Sequence, residues 1–363
     1  MKWRTLFMVL SAVALGLGSG DSVREQSLRE AAGASGVLIG TAVRPAQLSE
    51  AAYASTLARE FNMVEPEDAL KWEVVHPERE SFDFSQADQI VDFASRHGMK
   101  VRGHTLVWHR QNPQWLTSGK YSSGELAQIL EHHIKTVVGH YRGKIFAWDV
   151  VNEAIDELHP GTLRSTIWRD QPGIGLAGSG TSYIERCFRW AHEADPQALL
   201  FYNEAEAETV NRKSDAIYAM VRDFRQRGVH IDGVGFQMHI ANLHADVATI
   251  SANVRRFTAL GVQVHITEMD VALPVVASGN ARPEDLKRQA DIYGEIARAC
   301  VSHPGCSAIQ TWGFTDKYSW IGSHTGQALG AALPFDRNYA TKPAYEALRN
   351  ALAAAQRSPV DGR

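Results

Sequence analysis

From residue 37 to residue 312 the chain alternates short apolar, β-rich runs with longer stretches whose apolar residues recur at helical spacing. The runs occupy 37–42, 61–65, 101–107, 145–151, 198–202, 233–237, 262–267 and 308–312. Between them, segments such as 87–96 place apolar residues three and four apart, the period of an amphipathic helix. Gly98, Gly228 and Gly261 each stand between such a helix and the next strand, where a left-handed cap belongs. Alternating strands and helices predict a parallel sheet, since parallel neighbours need a helical crossover. Eight repeats favour a closed (β/α)8 TIM barrel, an α/β fold, over an open doubly wound sheet. No Pro/Ser-rich linker interrupts the repeats, so one domain over about 25–355 is expected.

The first twenty residues stand outside this pattern. Lys2 and Arg4 precede an apolar run over 6–17, and small residues (Gly18, Ser19, Gly20) follow before Asp21. This reads as a secretory signal peptide over 1–20. A membrane anchor is the competing reading, but the run is shorter than the ~20 residues that span a bilayer. The mature protein is therefore expected outside the cytoplasm, extracellular or periplasmic, with no membrane contact after cleavage.

Composition adds exclusions. With 37 Lys+Arg against 41 Asp+Glu the net charge is −4, which gives no basic footprint for nucleic acid. Hydrophobic residues make up 44 %, enough to exclude a disordered chain. Three cysteines are present. Cys300 and Cys306 flank a turn-forming Val-Ser-His-Pro-Gly segment, where a local disulfide is expected on export and two unpaired thiols are the alternative. Cys187 falls within an amphipathic helical pattern and reads as a core thiol. No Cys-x-x-Cys pair signals a structural zinc site, and neither a metal nor a cofactor is expected.

The strand ends carry the chemistry. Reading at or just past each run gives Glu67 and Lys71, His104 and Trp108, Asn152 and Glu153, Asn203, Gln237 and His239, Glu268 and Asp270, then Trp312. In a barrel these ends converge on one face, where barrel active sites lie. Glu153 and Glu268 would then share one cleft, and paired carboxylates suit glycoside hydrolysis. Metal-assisted hydrolysis is the competitor. The indoles favour sugar: Trp72, Trp108, Trp312 and Trp320 offer flat apolar faces suited to stacking on pyranose rings.

Several ordered segments then make the chain resemble a glycoside hydrolase family 10 endo-β-1,4-xylanase over nearly its whole mature length. They are EDALKWE at 67–73, GHTLVWH at 103–109, WDVVNEA at 148–154, GFQMH at 235–239, ITEMD at 266–270 and TWGFTDKYSW at 311–320. LPFD at 333–336 and KPAY at 342–345 complete the set. The resemblance implies a monomeric enzyme acting on xylan and xylo-oligosaccharides by retaining double displacement, with Glu153 as acid/base and Glu268 as nucleophile. It implies that His239, oriented by Asp270, bonds Glu268, and that Asn152 meets the 2-hydroxyl of the reacting sugar. Glu67, Asp68 and Lys71 would hold the sugar one place further out. His104, Trp108, Gln111, Asn203 and Gln237 would surround the substrate, with Trp312 and Trp320 as walls that exclude a hydroxymethyl group. Glu153 must start protonated, so burial and the neighbouring charge are expected to raise its pKa.

Two departures stand out. Asp68 replaces the family's usual Asn, adding charge beside Glu67, and NEAE at 203–206 replaces the usual NDYN, leaving Ala205 where an aromatic often lies. A related barrel enzyme acting on another β-1,4-glycan remains the alternative. A sugar-binding protein on a retired barrel fits less well, because both carboxylates are present. The GIGLAG at 173–178 follows a loop rather than a strand, so it lacks the context of a dinucleotide motif. His132, His133 and His140 read as packing or surface histidines.

Overall fold

A computed structural model describes residues 26–276 and 279–355; the leader expected over 1–20 lies outside the described residues. Eight parallel strands form the barrel: β1 (Leu38–Val43), β2 (Met63–Pro66), β3 (Lys100–Gly103), β4 (Ala147–Asn152), β5 (Leu199–Glu204), β6 (Gly233–Phe236), β7 (Gln263–Val271) and β8 (Cys306–Thr311). They pair in sequence order, and β8 pairs with both β7 and β1, which closes the sheet. All eight expected strands are present. Closure buries both faces of the strands, which is why they read as near-continuous apolar runs. The helices Ser85–Arg96, Arg212–Gln226 and Val247–Thr258 end at the expected glycines, with φ of 58° at Gly98, 69° at Gly228 and 75° at Gly261. Only glycine adopts that left-handed cap without a Cβ penalty. Among the described residues no helix is long and apolar enough to cross a membrane.

Two strand ends differ from the sequence pattern. β3 stops at Gly103 rather than running to 107, because the next residues turn onto β4. Leu106 N donates to Asp149 O at 3.0 Å and Thr105 Oγ1 to the same oxygen at 2.8 Å. β7 runs on through Val271, because the short strand His239–Ile240 pairs with Asp270 and Val271. Glu268 and Asp270 therefore sit inside a strand, on rigid backbone, rather than in a loop.

The barrel interior below the mouth is polar, which the apolar runs did not announce. Glu65, Arg102, Asp149, His265 and Gln310 are all at most 1 % exposed. Arg102 bonds both oxygens of Asp149, lies 3.3 Å from Glu65 Oε2, and donates to His265 Nδ1 at 2.8 Å. Gln310 Nε2 donates to Glu65 Oε2 at 2.8 Å.

At the opposite end of the barrel from the mouth, Cys300 at the end of helix Pro283–Val301 is disulfide-bonded to Cys306 at the start of β8. Cys187 is a buried free thiol. The bridge closes a short loop, so replacing both bridge cysteines by serine should lower unfolding free energy by about 2 kcal/mol. Denaturant titration measures this, and kcat well below the melting range should be unchanged. A change in kcat at low temperature would contradict a purely structural bridge.

Candidate active site

The carboxyl ends of the strands surround a cavity of about 350 Å3 to which every strand contributes. Arg44 follows β1, Glu67 follows β2, and His104 and Trp108 follow β3. Asn152 and Glu153 come from the end of β4, Ala205 follows β5, Gln237 and His239 follow β6, Glu268 lies on β7, and Trp312 follows β8. The convergence is that expected of a barrel mouth.

Glu268 is held by two donors. Asn203 Nδ2 donates to its Oε1 at 2.7 Å, and His239 Nε2 lies 3.1 Å from its Oε2. His239 Nδ1 is 3.0 Å from Asp270 Oδ2, which also accepts from Trp320 Nε1 at 2.9 Å. Burial pulls the His239 imidazolium down, but the Asp270 and Glu268 carboxylates outweigh it and hold its pKa well above the ordinary histidine value. The ring is thus a charged donor to Glu268. Asn203 differs from expectation: it is fully buried behind Glu268 and does not line the cavity. Thr267 Oγ1 donates to its Oδ1 at 2.7 Å, which turns the amide so that Nδ2 faces Glu268. A Cβ at Gly235 would stand 2.1 Å from that Oδ1, so the strand beside it needs glycine.

Glu153 has a different setting. Its Oε2 accepts from Trp108 Nε1 at 2.8 Å and its Oε1 from Gln237 Nε2 at 3.0 Å. Burial pushes the Glu153 carboxyl up, but those two bonds, together with nearby His109 and Arg110, outweigh it and hold the pKa below the ordinary value. The expected upward shift is therefore corrected for the unliganded site. The sequence showed the burial and the second carboxylate but not the two N–H groups aimed at this one. Gln237 Nε2 also reaches Asn152 Oδ1 at 3.2 Å, and Asn203 Nδ2 reaches the same oxygen at 2.9 Å. With Oδ1 doubly engaged, Asn152 presents its Nδ2 to the cavity.

Glu67, Asp68 and Lys71 form the other wall with Arg44, which the sequence reading passed over. Arg44 Nη2 is 2.6 Å from Glu67 Oε1 and its Nε 3.2 Å from Asp68 Oδ2, while Lys71 Nζ is 3.0 Å from Asp68 Oδ1. Two cations thus balance two carboxylates, and the extra charge of Asp68 is neutralised in place. Burial raises the Asp68 pKa less than Lys71 and Arg44 lower it, so Asp68 stays ionised. Arg44 was legible in principle: it follows β1 as Glu67 follows β2. Lys71 Nζ lies 5.1 Å from the Trp108 ring and 5.8 Å from the Trp312 ring.

Two residues differ from the expected set. Gln111 does not itself line the cavity; its Nε2 donates to Glu73 Oε1 at 2.8 Å and its side chain also bonds Asp68, so it backs the wall from behind. Trp72 is 2 % exposed and stacks on His133 at 3.5 Å, so it packs the shell behind the wall rather than facing a sugar. Below the mouth, Glu65, His104 and Asp149 cluster closely enough to hold a cation. Arg102 already supplies the positive charge between Glu65 and Asp149.

Two carboxylates with unlike hydrogen-bond settings, flanked by indoles at a barrel mouth, define a glycosidase-type site. The model of Glycosyl hydrolase family 10 matches residues 27–351, and the chain belongs to that family. It is 45 % identical over 300 residues to endo-1,4-beta-xylanase B of Thermotoga neapolitana, covering 83 % of each chain. It is 39 % identical over 302 residues to the beta-1,4-xylanase of Dictyoglomus thermophilum, covering 81 % of this chain and 82 % of that one. Its fold superposes on xylanase 10B from Thermotoga petrophila in complex with xylobiose with a TM-score of 0.85 and 41 % identity, covering 91 % of this chain and 98 % of that one.

Proposed function

We propose that this hydrolase cleaves β-1,4-xylosidic bonds within xylan and retains the anomeric configuration. The observation that carries the reading is the Glu268 carboxylate fixed by Asn203 and a charged His239, with Glu153 across the same cavity. Glu268 attacks the anomeric carbon while Glu153 gives its proton to the departing glycosidic oxygen. The C1–O bond breaks and a glycosyl ester forms on Glu268. Glu153, now a carboxylate, takes a proton from water as that water attacks C1 and releases Glu268. A bound sugar competes for the Trp108 and Gln237 N–H groups and excludes water, and both effects favour the protonated acid before the first step. In this reading Asn152 Nδ2 meets the sugar's 2-hydroxyl, and the Glu67–Arg44–Asp68–Lys71 wall holds the next ring.

Reducing-sugar release from xylan and from carboxymethyl-cellulose tests the substrate, with the first-formed anomer read by NMR. Release from xylan with the β-anomer first is expected. A preference for the glucan would move the assignment to a related β-glycanase, and the α-anomer first would overturn retention. Export belongs to the same proposal: the leader pattern over 1–20 and the Cys300–Cys306 disulfide both fit an oxidising compartment.

Trp108→Phe tests the acid. The change keeps an aromatic face but removes one donor to the charged form of Glu153, so the Glu153 pKa should rise. Because Glu153 acts when protonated, the basic limb of the kcat/KM profile should move to higher pH. A basic limb that stays in place would show that another group sets it.

A further inference from the structure

Glu153 sits on backbone with φ of 55°, a left-handed conformation that costs a non-glycine residue about 1–3 kcal/mol and persists only where its surroundings enforce it. The enforcement comes from β5. Three consecutive N–H groups beginning at Glu153 are each captured there: Glu153 N by Asn203 O at 2.9 Å, Ala154 N by Tyr202 Oη at 3.0 Å, and Ile155 N by Glu204 Oε2 at 3.1 Å. Backbone to backbone contact explains only the first. The other two depend on side chains, and those side chains are linked, since Tyr202 Oη donates to Glu204 Oε2 at 2.6 Å. Lys213 Nζ, 3.0 Å from Glu204 Oε1, balances the carboxylate from the far side. Tyr202 and Glu204 are fully buried and neither lines the cavity. Ala154 and Ile155 are 3 % exposed, so their N–H groups have little access to water if these acceptors are lost.

We propose that Tyr202 and Glu204 are positioning residues that hold the turn after β4 and so aim the Glu153 carboxyl at the departing glycosidic oxygen. The proposal rests on the reading of Glu153 as general acid. The Tyr202 hydroxyl acts as a relay, accepting from Ala154 and donating to Glu204, so the two acceptors work as one brace. A misaimed acid fails only where a proton must be delivered. Its loss should therefore depend on the leaving group, whereas a general loosening of the barrel should not.

The test compares kcat/KM for xylan with kcat/KM for 2,4-dinitrophenyl β-xylobioside, whose phenolate leaves without protonation. Tyr202→Phe should lower the xylan value about 10- to 100-fold, with KM little changed, and leave the aryl glycoside within about threefold. Glu204→Ala should behave like Tyr202→Phe. Glu204→Gln keeps an oxygen for Ile155 N and Tyr202 Oη and should retain most activity on xylan. Equal losses on both substrates, or a folded Tyr202→Phe with undiminished xylan activity, would overturn the brace. Glu153→Ala is the control: if it too shows no dependence on leaving group, the acid assignment itself fails. If it shows that dependence while the brace variants do not, only the positioning role falls.

Discussion

Replacing Glu268 by alanine should lower reducing-sugar release from xylan by about 10⁴-fold or more, a loss of the size seen when a catalytic nucleophile is removed. On the proposed mechanism no glycosyl ester can form without this carboxylate, and Asn203 Nδ2 and the charged His239 ring lose the acceptor they converge on. The fold should persist, because the side chain borders a cavity and Asn203 stays bonded to Asn152 Oδ1 and Thr267 Oγ1. Glu268→Gln separates charge from shape: it preserves volume yet should be nearly as inactive. Azide, small enough to enter the space left by Glu268→Ala, should restore turnover of an aryl xyloside and yield an inverted azide product. More than a tenth of wild-type activity in purified Glu268→Ala would break the mechanism.

Arg102→Ala should produce the largest change in stability. The guanidinium is completely buried and bonds Asp149, Glu65 and His265 inside the barrel. Burial raises the Glu65 carboxyl well above its usual range, whereas burial of Asp149 is outweighed by Arg102 and His104 and leaves Asp149 ionised. Removing Arg102 strands that charge in the interior, at a cost of about 3–5 kcal/mol. For a chain of this size the corresponding fall in Tm is roughly 4–7 °C. His104, whose Nδ1 lies 3.1 Å from Asp149 Oδ2, ties this core to the cavity above, so kcat should fall as well. A thermal scan at fixed rate that shows no fall would mean that the charges rearrange or become solvated.

The eight strands and the glycine caps could be read from residues close together in the chain. The period of apolar positions and the left-handed cap both depend on near neighbours, so they survive in a one-dimensional pattern. The same logic marked Glu153 and Glu268, since each ends or interrupts an apolar run with a carboxylate. Arg44 obeys that rule too, since it follows the first apolar run with a charge. Trp72 and Gln111 could not be sorted this way. An indole stacked behind a wall and one facing a cavity have the same local sequence, and so do an amide that lines a cavity and one that braces the wall from behind.

What only the tertiary structure decided is the direction of donors across long chain separations. Gln237 reaches Glu153 from 84 residues away, Trp108 from 45, and Asn203 reaches Glu268 from 65. The bonds from Gln237 and Trp108 bias Glu153 toward its charged form before substrate arrives, opposite to the shift expected from burial alone. The buried charges around Arg102 and the brace of Tyr202 and Glu204 were hidden for the same reason, because their partners lie on neighbouring strands rather than neighbouring residues. The sequence by itself determined the barrel, its family and the two carboxylates at its mouth. A hydrogen bond is set by distance and angle in space, so how each carboxylate is oriented and held depended on the closed sheet.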